Sequence, residues 1–262
     1  MKIDSSIIDQ YLAKESSSYY SNHWVFGVIE PRKNVFTPPD GSRAVEVENC
    51  RRHIVDICNN FKFQNNDLVH EIFPNIPHTL KQVNILLIVG APSMYDAMVR
   101  EYQGEFYMIF DLINFANYGA KGANLPDLIN ELLSHELIHV LINEKYPPEE
   151  FNYIEHLNYI SFHEGFAHLL SYKEDITNYR PDNAEYKARF ENAKEKLLTA
   201  LNEKDPMARE KYQIEVNTGS YWDKFGAIAS KLYLLKHMSI LKKIYNEGWK
   251  NYINKIVNYD WH

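Results

Sequence analysis

Residues 125–144 read LPDLINELLSHELIHVLINE, the most informative stretch of the chain. Pro126 and Asp127 suit the first turn of a helix, where proline lacks only an N–H that needs no partner and an acidic side chain faces the positive end of the helix dipole. Apolar residues then recur at helical spacing, and two prolines at 147 and 148 follow. The pattern predicts an α-helix from Leu125 to about Glu144.

Within this predicted helix, His135, Glu136 and His139 form an H-E-x-x-H pattern. Four residues advance a helix by about 400°, so the two histidines project from one face about one turn apart. Two imidazoles so placed can bind one tetrahedral zinc ion, and Glu136 lies beside them to accept a proton from a water on the metal. We therefore predict Zn²⁺ as cofactor, His135 and His139 as ligands, and Glu136 as general base.

A catalytic zinc site needs a third protein ligand and an open position for water. A second helix, predicted from Tyr153 to Tyr172, offers His163, Glu164 and His168. Glu164 is the favoured ligand, because Gly165 beside it lets two helix backbones approach closely. His168, one turn beyond Glu164 on the same face, is the competing ligand, and His163 is a weaker alternative.

Composition limits the classes of function. The chain has 262 residues, 45% hydrophobic and 24% charged, which is typical of a globular protein. Its net charge of -7 argues against nucleic acid or an anionic membrane as the main partner. Five of the eleven histidines fall between 135 and 168, and we expect His156 and His163 among them to pack as ordinary polar residues. The two cysteines, Cys50 and Cys58, are predicted to be reduced thiols.

The order of predicted elements indicates an α+β class that is mostly helical. Helical spacing occupies residues 5–20 and 42–62, and two strands follow at Val83–Val89 and Glu105–Leu112. Two further helices are predicted beyond the motif, from Asn183 to Asn202 and from Trp222 to Tyr245.

No linker-like segment divides the chain, so a single domain spanning 1–262 is expected. It would have a helical part at 1–80, a small sheet at 81–124 and a helical part with the metal site at 125–262. The segment after Met1 has no apolar run long enough for a signal peptide, and no stretch is long enough to cross a bilayer. The expectation is a cytoplasmic protein without a membrane span.

The pattern His135-Glu136-Leu137-Ile138-His139, followed by Glu164-Gly165-Phe166-Ala167, resembles the gluzincin group of zinc metallopeptidases. More narrowly, it is similar to bacterial families of predicted zinc-dependent proteases with an E-G-x-A segment. The resemblance implies a zincin-like fold with a small sheet upstream of the active-site helix. It also implies zinc held by His135, His139 and Glu164, with Glu136 as general base.

Further roles follow from the same resemblance. Several such families carry, one turn after the glutamate ligand, an acidic residue that orients a zinc histidine; here that position is His168, so Glu131 or Asp223 is suggested as the acceptor instead. Tyr221 is a candidate donor to the oxyanion of the tetrahedral addition state. In zincins an edge strand binds extended substrate, and in that role the strand at Glu105–Leu112 would line the cleft through Phe106 to Phe110.

These residues together predict a zinc metallopeptidase that hydrolyses peptide bonds of a peptide or protein substrate through a zinc-bound water activated by Glu136. Two alternatives stay open. One is a zincin-like binding or regulatory module without turnover, and the other is a zinc hydrolase of a non-peptide amide or ester.

Overall fold

The computed structural model describes residues 1–30, 33–93, 95–172 and 183–261. The described chain is mostly helical with one four-stranded sheet, so the α+β class is confirmed. Contacts divide it into two compact units, Met1–Lys62 with Asn75–Glu136, and Phe63–Pro74 with Leu137–His262. The single-domain assignment stays a prediction. Among the described helices, none is long and apolar enough to cross a membrane.

The sheet belongs to the first unit and has the order β1-β2-β4-β3. Its strands are β1 (Lys2–Asp4), β2 (Asn84–Ile88), β3 (Ala97–Tyr102) and β4 (Glu105–Asp111). β2 pairs in parallel with both β1 and β4, which is why it is almost wholly apolar and buried. β3 pairs antiparallel to β4 across the tight turn at Gln103-Gly104, where both residues have positive φ.

The first unit also contains helices, which come before, between and after the strands along the chain. They are α1 (Ser6–Leu12), α2 (Ala44–Asn59), α4 (Ile76–Gln82) and α5 (Leu112–Ala120). Helix α6 (Leu125–Asn143) is continuous, and the division between the units falls within it after Glu136. Cys50 and Cys58 are free, buried thiols on α2, which confirms that they form no disulfide.

The second unit is helical throughout its described part. Its helices are α3 (Asn66–Ile72), α7 (Tyr153–Leu170), α8 (Ala184–Asn202), α9 (Pro206–Glu215), α10 (Phe225–Lys236), α11 (Leu241–Glu247) and α12 (Tyr252–Val257). Helix α10 is buried on all sides from Phe225 to Leu235 and packs against α7 and α8. These helices supply the core of the unit.

The predicted helices and strands agree best with the structure where the periodic pattern of apolar residues is strong. The two predicted strands are β2 and β4, and the predicted helices at 125–144, 153–172 and 183–202 are α6, α7 and α8. β1 lies outside the region 81–124 in which the sheet was expected, and α5 lies inside it.

The continuous helix predicted from Trp222 to Tyr245 is wrong. A 3₁₀ turn at Tyr221–Asp223 precedes α10, and Lys224 between them has a non-helical ψ of 74°. The second break is at His237, whose ring Nδ1 lies 2.7 Å from the carbonyl oxygen of Tyr233, and α11 starts only at Leu241.

Gly165 lets α7 and α10 pack in close contact. A Cβ atom at this position would overlap the side chain of Ser230 on α10. Ser230 is buried and its hydroxyl shares a 2.7 Å hydrogen bond with the Tyr252 hydroxyl, so a shift of this side chain would disturb that bond. The sequence argument expected Gly165 to allow close approach to the helix of the H-E-x-x-H motif; the contact that the structure shows at Gly165 is with α10. Gly226 on α10 has the same role, because a Cβ there would overlap Val216 and Ser161.

We expect Gly165→Ala to lower the free energy of unfolding by about 1–3 kcal/mol, since the added methyl group overpacks a closed contact. Chemical denaturation measures this change. Gly27→Ala is the matched control, because a Cβ at Gly27 meets no atom within 4 Å. Equal stabilities for the two variants would contradict the close-packing role.

Asp111 ties the end of the sheet to the start of α5. Its carboxylate accepts hydrogen bonds from the backbone N–H groups of Ile113 and Asn114 at 3.0 Å and of Ala91 at 2.8 Å. Burial nevertheless raises the pKa of Asp111 from 3.8 to about 6, against the lowering effect of these amides. The residue therefore caps the helix at the cost of burying a charge.

This raised pKa predicts a pH-dependent stability. As pH rises from about 4 to 6, the unfolded chain releases the Asp111 proton before the folded protein does, so the folded state loses stability. Asp111→Asn cannot titrate and we expect it to lack this loss. Denaturation across this pH range, with the exposed cap variant Asp205→Asn as control, tests the prediction; parallel pH profiles for wild type and Asp111→Asn would refute it.

Candidate metal centre

The H-E-x-x-H motif lies on α6, as predicted. His135 and His139 are one helical turn apart, and both are only partly exposed. Glu136 is also partly exposed and lies close enough to Arg100 of β3 for its charge to oppose the lowering of the Arg100 pKa by burial. Arg100 itself is held by the carbonyl oxygens of Val28 and Ile29, at 3.0 and 3.1 Å.

Glu164 on α7 is the carboxylate at the centre of the site. Glu164 is only 8% exposed. Its Oε1 atom lies 3.5 Å from Nε2 of His139, and its Oε2 atom lies 3.6 Å from Nε2 of His168. Each carboxylate oxygen thus faces one imidazole, which offsets part of the cost of burying the charge when the imidazole is protonated.

Three ligand atoms, one each from His135, Glu164 and His168, lie within 4.8 Å of one another. This group could hold a metal ion. His139 contacts Glu164 but is not a member of this three-residue group. The structure therefore brings Glu164 together with the motif histidines and adds His168, the competing ligand of the sequence analysis. The assignment of His139 as a metal ligand stays a prediction.

Asn217 is the residue of the site that sequence reasoning missed. It lies in the loop after α9, and its Nδ2 donates a 2.6 Å hydrogen bond to Oε1 of Glu164. Flanking contacts fix the loop, because the Thr218 hydroxyl donates to the Ile214 carbonyl oxygen and the Gly226 amide donates to the Val216 carbonyl oxygen. Only turn-forming residues marked this loop in the sequence, and nothing there indicated a contact with Glu164.

The suggested roles of Glu131 and Asp223 as acceptors for a metal-binding histidine stay predictions. The structure does show a polar neighbour of the Glu164 carboxylate in addition to His139 and His168: the amide donor Asn217. The Nδ2 group of an amide can orient a carboxylate without itself binding a metal ion, because its nitrogen lone pair is delocalised into the carbonyl group.

His163 packs as a neutral histidine. It is 3% exposed, and burial together with the charge of His139 holds its pKa well below the ordinary value of 6.5, while Glu164 acts in the opposite direction. Its ring stacks on His139 with centroids 5.9 Å apart and tilts against Tyr159 at 4.0 Å. Burial also lowers the pKa of His156.

Tyr221 stands beside His168, with the two rings edge to face and their centroids 5.6 Å apart. Its hydroxyl accepts a 2.7 Å hydrogen bond from Nζ of Lys231, a buried residue of α10 that the sequence analysis did not single out. Tyr221 thus lies near the candidate ligands, and Lys231 is its partner.

The expectation that Glu105–Leu112 forms an edge strand is wrong. β4 lies inside the sheet, paired on one side with β2 and on the other with β3. Pairing on both sides uses its backbone donors and acceptors, so this strand cannot add a substrate strand. The buried residues Met108 to Phe110 contribute to the core instead of lining a cleft, and the edge strands of this sheet are β1 and β3.

No family model, curated protein or solved structure matches this chain. The case for a function therefore depends on the residues of the site and on their geometry.

Asn217 is expected to affect the affinity for a divalent metal ion. Asn217→Ala should weaken the affinity for the metal ion by about 10 to 100-fold, because Glu164 loses the amide that donates to its carboxylate. Competition against a chelating dye measures the affinity. Asn202→Ala is the control, since the Asn202 side chain is exposed and donates only to the Leu198 carbonyl oxygen. An unchanged affinity in Asn217→Ala would exclude this role.

Proposed function

We propose that this protein is a zinc metallopeptidase with a zincin-like fold, hydrolysing peptide bonds of a peptide or protein substrate. The observation that carries the proposal is the convergence of His135, Glu164 and His168 within 4.8 Å, on the helix of the H-E-x-x-H motif and the helix that follows it. A cytoplasmic location is part of the proposal.

The donor set suits zinc. Imidazole nitrogens and one carboxylate are the ligands of catalytic zinc sites, whereas Mg²⁺ and Ca²⁺ prefer oxygen donors alone. His135, His139 and Glu164 are the proposed ligands, and His168 is placed to replace or join His139. When bound, zinc would supply Lewis acidity towards the scissile carbonyl and lower the pKa of a water.

Glu136 follows His135 directly on α6, beside the face that carries the proposed ligands. Its proposed role is to take a proton from the attacking water and return it to the leaving amine. Arg100 of β3 lies close enough for its charge to interact with that of Glu136. Tyr221, beside His168, is the proposed donor to the developing oxyanion.

The test separates metal binding from turnover. Wild type, Glu136→Gln, Glu164→Ala and the exposed control Glu210→Gln are purified without added metal, and zinc per chain is measured. Digestion of a peptide library is then followed with and without a chelator. We expect near-stoichiometric zinc and chelator-sensitive cleavage in wild type and control. Glu164→Ala should lose most of its zinc. Glu136→Gln should keep zinc and lose activity by about 10²–10⁴-fold, because only the proton transfer is removed.

Two results would overturn the proposal. Full zinc occupancy in Glu164→Ala would remove Glu164 from the ligand set. Stoichiometric zinc without chelator-sensitive cleavage of any peptide would favour a binding module or a hydrolase of another amide or ester.

A further inference from the structure

Lys231 is a buried amine next to the candidate site. It lies on α10 and is 2% exposed. Its Nζ atom donates to the Tyr221 hydroxyl at 2.7 Å and lies 4.4 Å from the centre of the Tyr172 ring. Burial of an ammonium group is costly unless it is hydrogen-bonded, and the two tyrosines supply a hydrogen bond and a cation–π contact. A residue this costly to bury is a candidate for a role beyond packing.

The direction of the hydrogen bond determines what Tyr221 can do. An ammonium group has three donors and no acceptor, so the phenolic oxygen accepts from Lys231 and its own proton must point elsewhere. A phenol that accepts from a cation is also a stronger hydrogen-bond donor, because the bonds of a chain polarise one another. Tyr221 is 40% exposed, so an outside molecule can reach it, whereas Lys231 is shielded.

We propose that Lys231 is a positioning residue that holds Tyr221 as a hydrogen-bond donor to an anionic oxygen of the substrate, the oxyanion of the tetrahedral addition state. The inference rests on the proposed hydrolase function. Tyr221 touches the substrate and Lys231 acts only through Tyr221. The edge-to-face contact with His168 places the Tyr221 ring beside the proposed metal ligands, where this charge would develop.

A purely structural role for Lys231 makes different predictions. If the amine only fills the core, its replacement disturbs the protein equally with or without the Tyr221 hydroxyl. If it acts through Tyr221, its effect disappears once the hydroxyl is absent. A double-mutant cycle therefore distinguishes the two roles.

The experiment compares Lys231→Met, Lys231→Arg, Tyr221→Phe and the double variant Lys231→Met with Tyr221→Phe, each checked for wild-type zinc content and melting temperature. Lys242→Met, on the exposed side of α11, is the control. We expect Tyr221→Phe to lower kcat by about 100-fold. Lys231→Met should lower kcat by about tenfold or more with KM unchanged. Lys231→Arg, which keeps a cationic donor, should lose less, and the double variant should equal Tyr221→Phe.

A second measurement does not require turnover. Binding of a peptide phosphonamidate, whose tetrahedral anionic phosphorus mimics the addition state, is followed by calorimetry in the same zinc-loaded variants. We expect weaker binding in Lys231→Met and in Tyr221→Phe, and no further loss in the double variant. Such binding in a protein that cleaves no peptide would overturn the proposed function and keep the role of Lys231. An unchanged kcat and phosphonamidate affinity in Lys231→Met, or no binding by wild type, would overturn the role of Lys231.

Discussion

The buried carboxylate of Glu164 is the constraint around which the candidate site is organised. Removal of a carboxylate from water costs several kcal/mol unless nearby groups compensate for its charge. Nitrogen atoms of Asn217 and His139 lie close to one of its oxygens and a nitrogen of His168 lies close to the other. Because these groups come from different segments of the chain, the loop after α9 must be fixed as firmly as the helices. The contacts of Thr218 and Gly226 provide that support.

The arrangement around Glu164 also depends on close packing between α7 and α10. Gly165 directly follows Glu164, and the absence of its side chain brings Ser230 of α10 against the α7 backbone. The next residue of α10, Lys231, then meets the Tyr221 hydroxyl. The E-G sequence thus places the carboxylate of the candidate site directly before a packing position. An alanine at 165 would disturb α10 and, through it, the neighbourhood of Tyr221.

Much of the fold could be predicted from local sequence patterns, and the predictions that were wrong or missing have physical reasons. α6, α7 and α8 have clear ends in the sequence, with Pro, Asn or Asp at or near their starts. The segment from 222 to 245 carries apolar residues at helical spacing along its length and has no proline, so its pattern could not reveal the breaks at Lys224 and His237. β1 has only three residues and pairs with β2 more than 80 positions away, a contact that short-range periodicity cannot indicate. The interior position of β4 depends on the same long-range pairing.

The candidate site likewise contains some residues that local spacing predicts and others that only long-range contacts reveal. The spacing of His135, Glu136 and His139 is local, so the helix alone places these side chains on neighbouring faces. Asn217 is 53 residues from Glu164, and an isolated asparagine in a turn has many ordinary explanations. The missed residues Asn217 and Lys231 hydrogen-bond to Glu164 and Tyr221, whereas the recognised ones are those proposed to bind metal or transfer protons. Chemistry-bearing residues follow recognisable patterns, and residues that orient them become visible only through tertiary contacts.

The difference between amide and imidazole neighbours gives Asn217 a distinct place in this site. An imidazole can face Glu164 as a protonated cation or bind a metal ion as a neutral ligand, but it cannot do both at once. If His139 or His168 binds a metal ion through Nε2, it therefore no longer faces the Glu164 carboxylate as a cation. The Asn217 amide does not titrate, so a change in the charge of the imidazoles leaves its capacity to donate to Oε1 unchanged. Asn217 is thus a neighbour of Glu164 whose hydrogen bond does not depend on the charge of the two imidazoles.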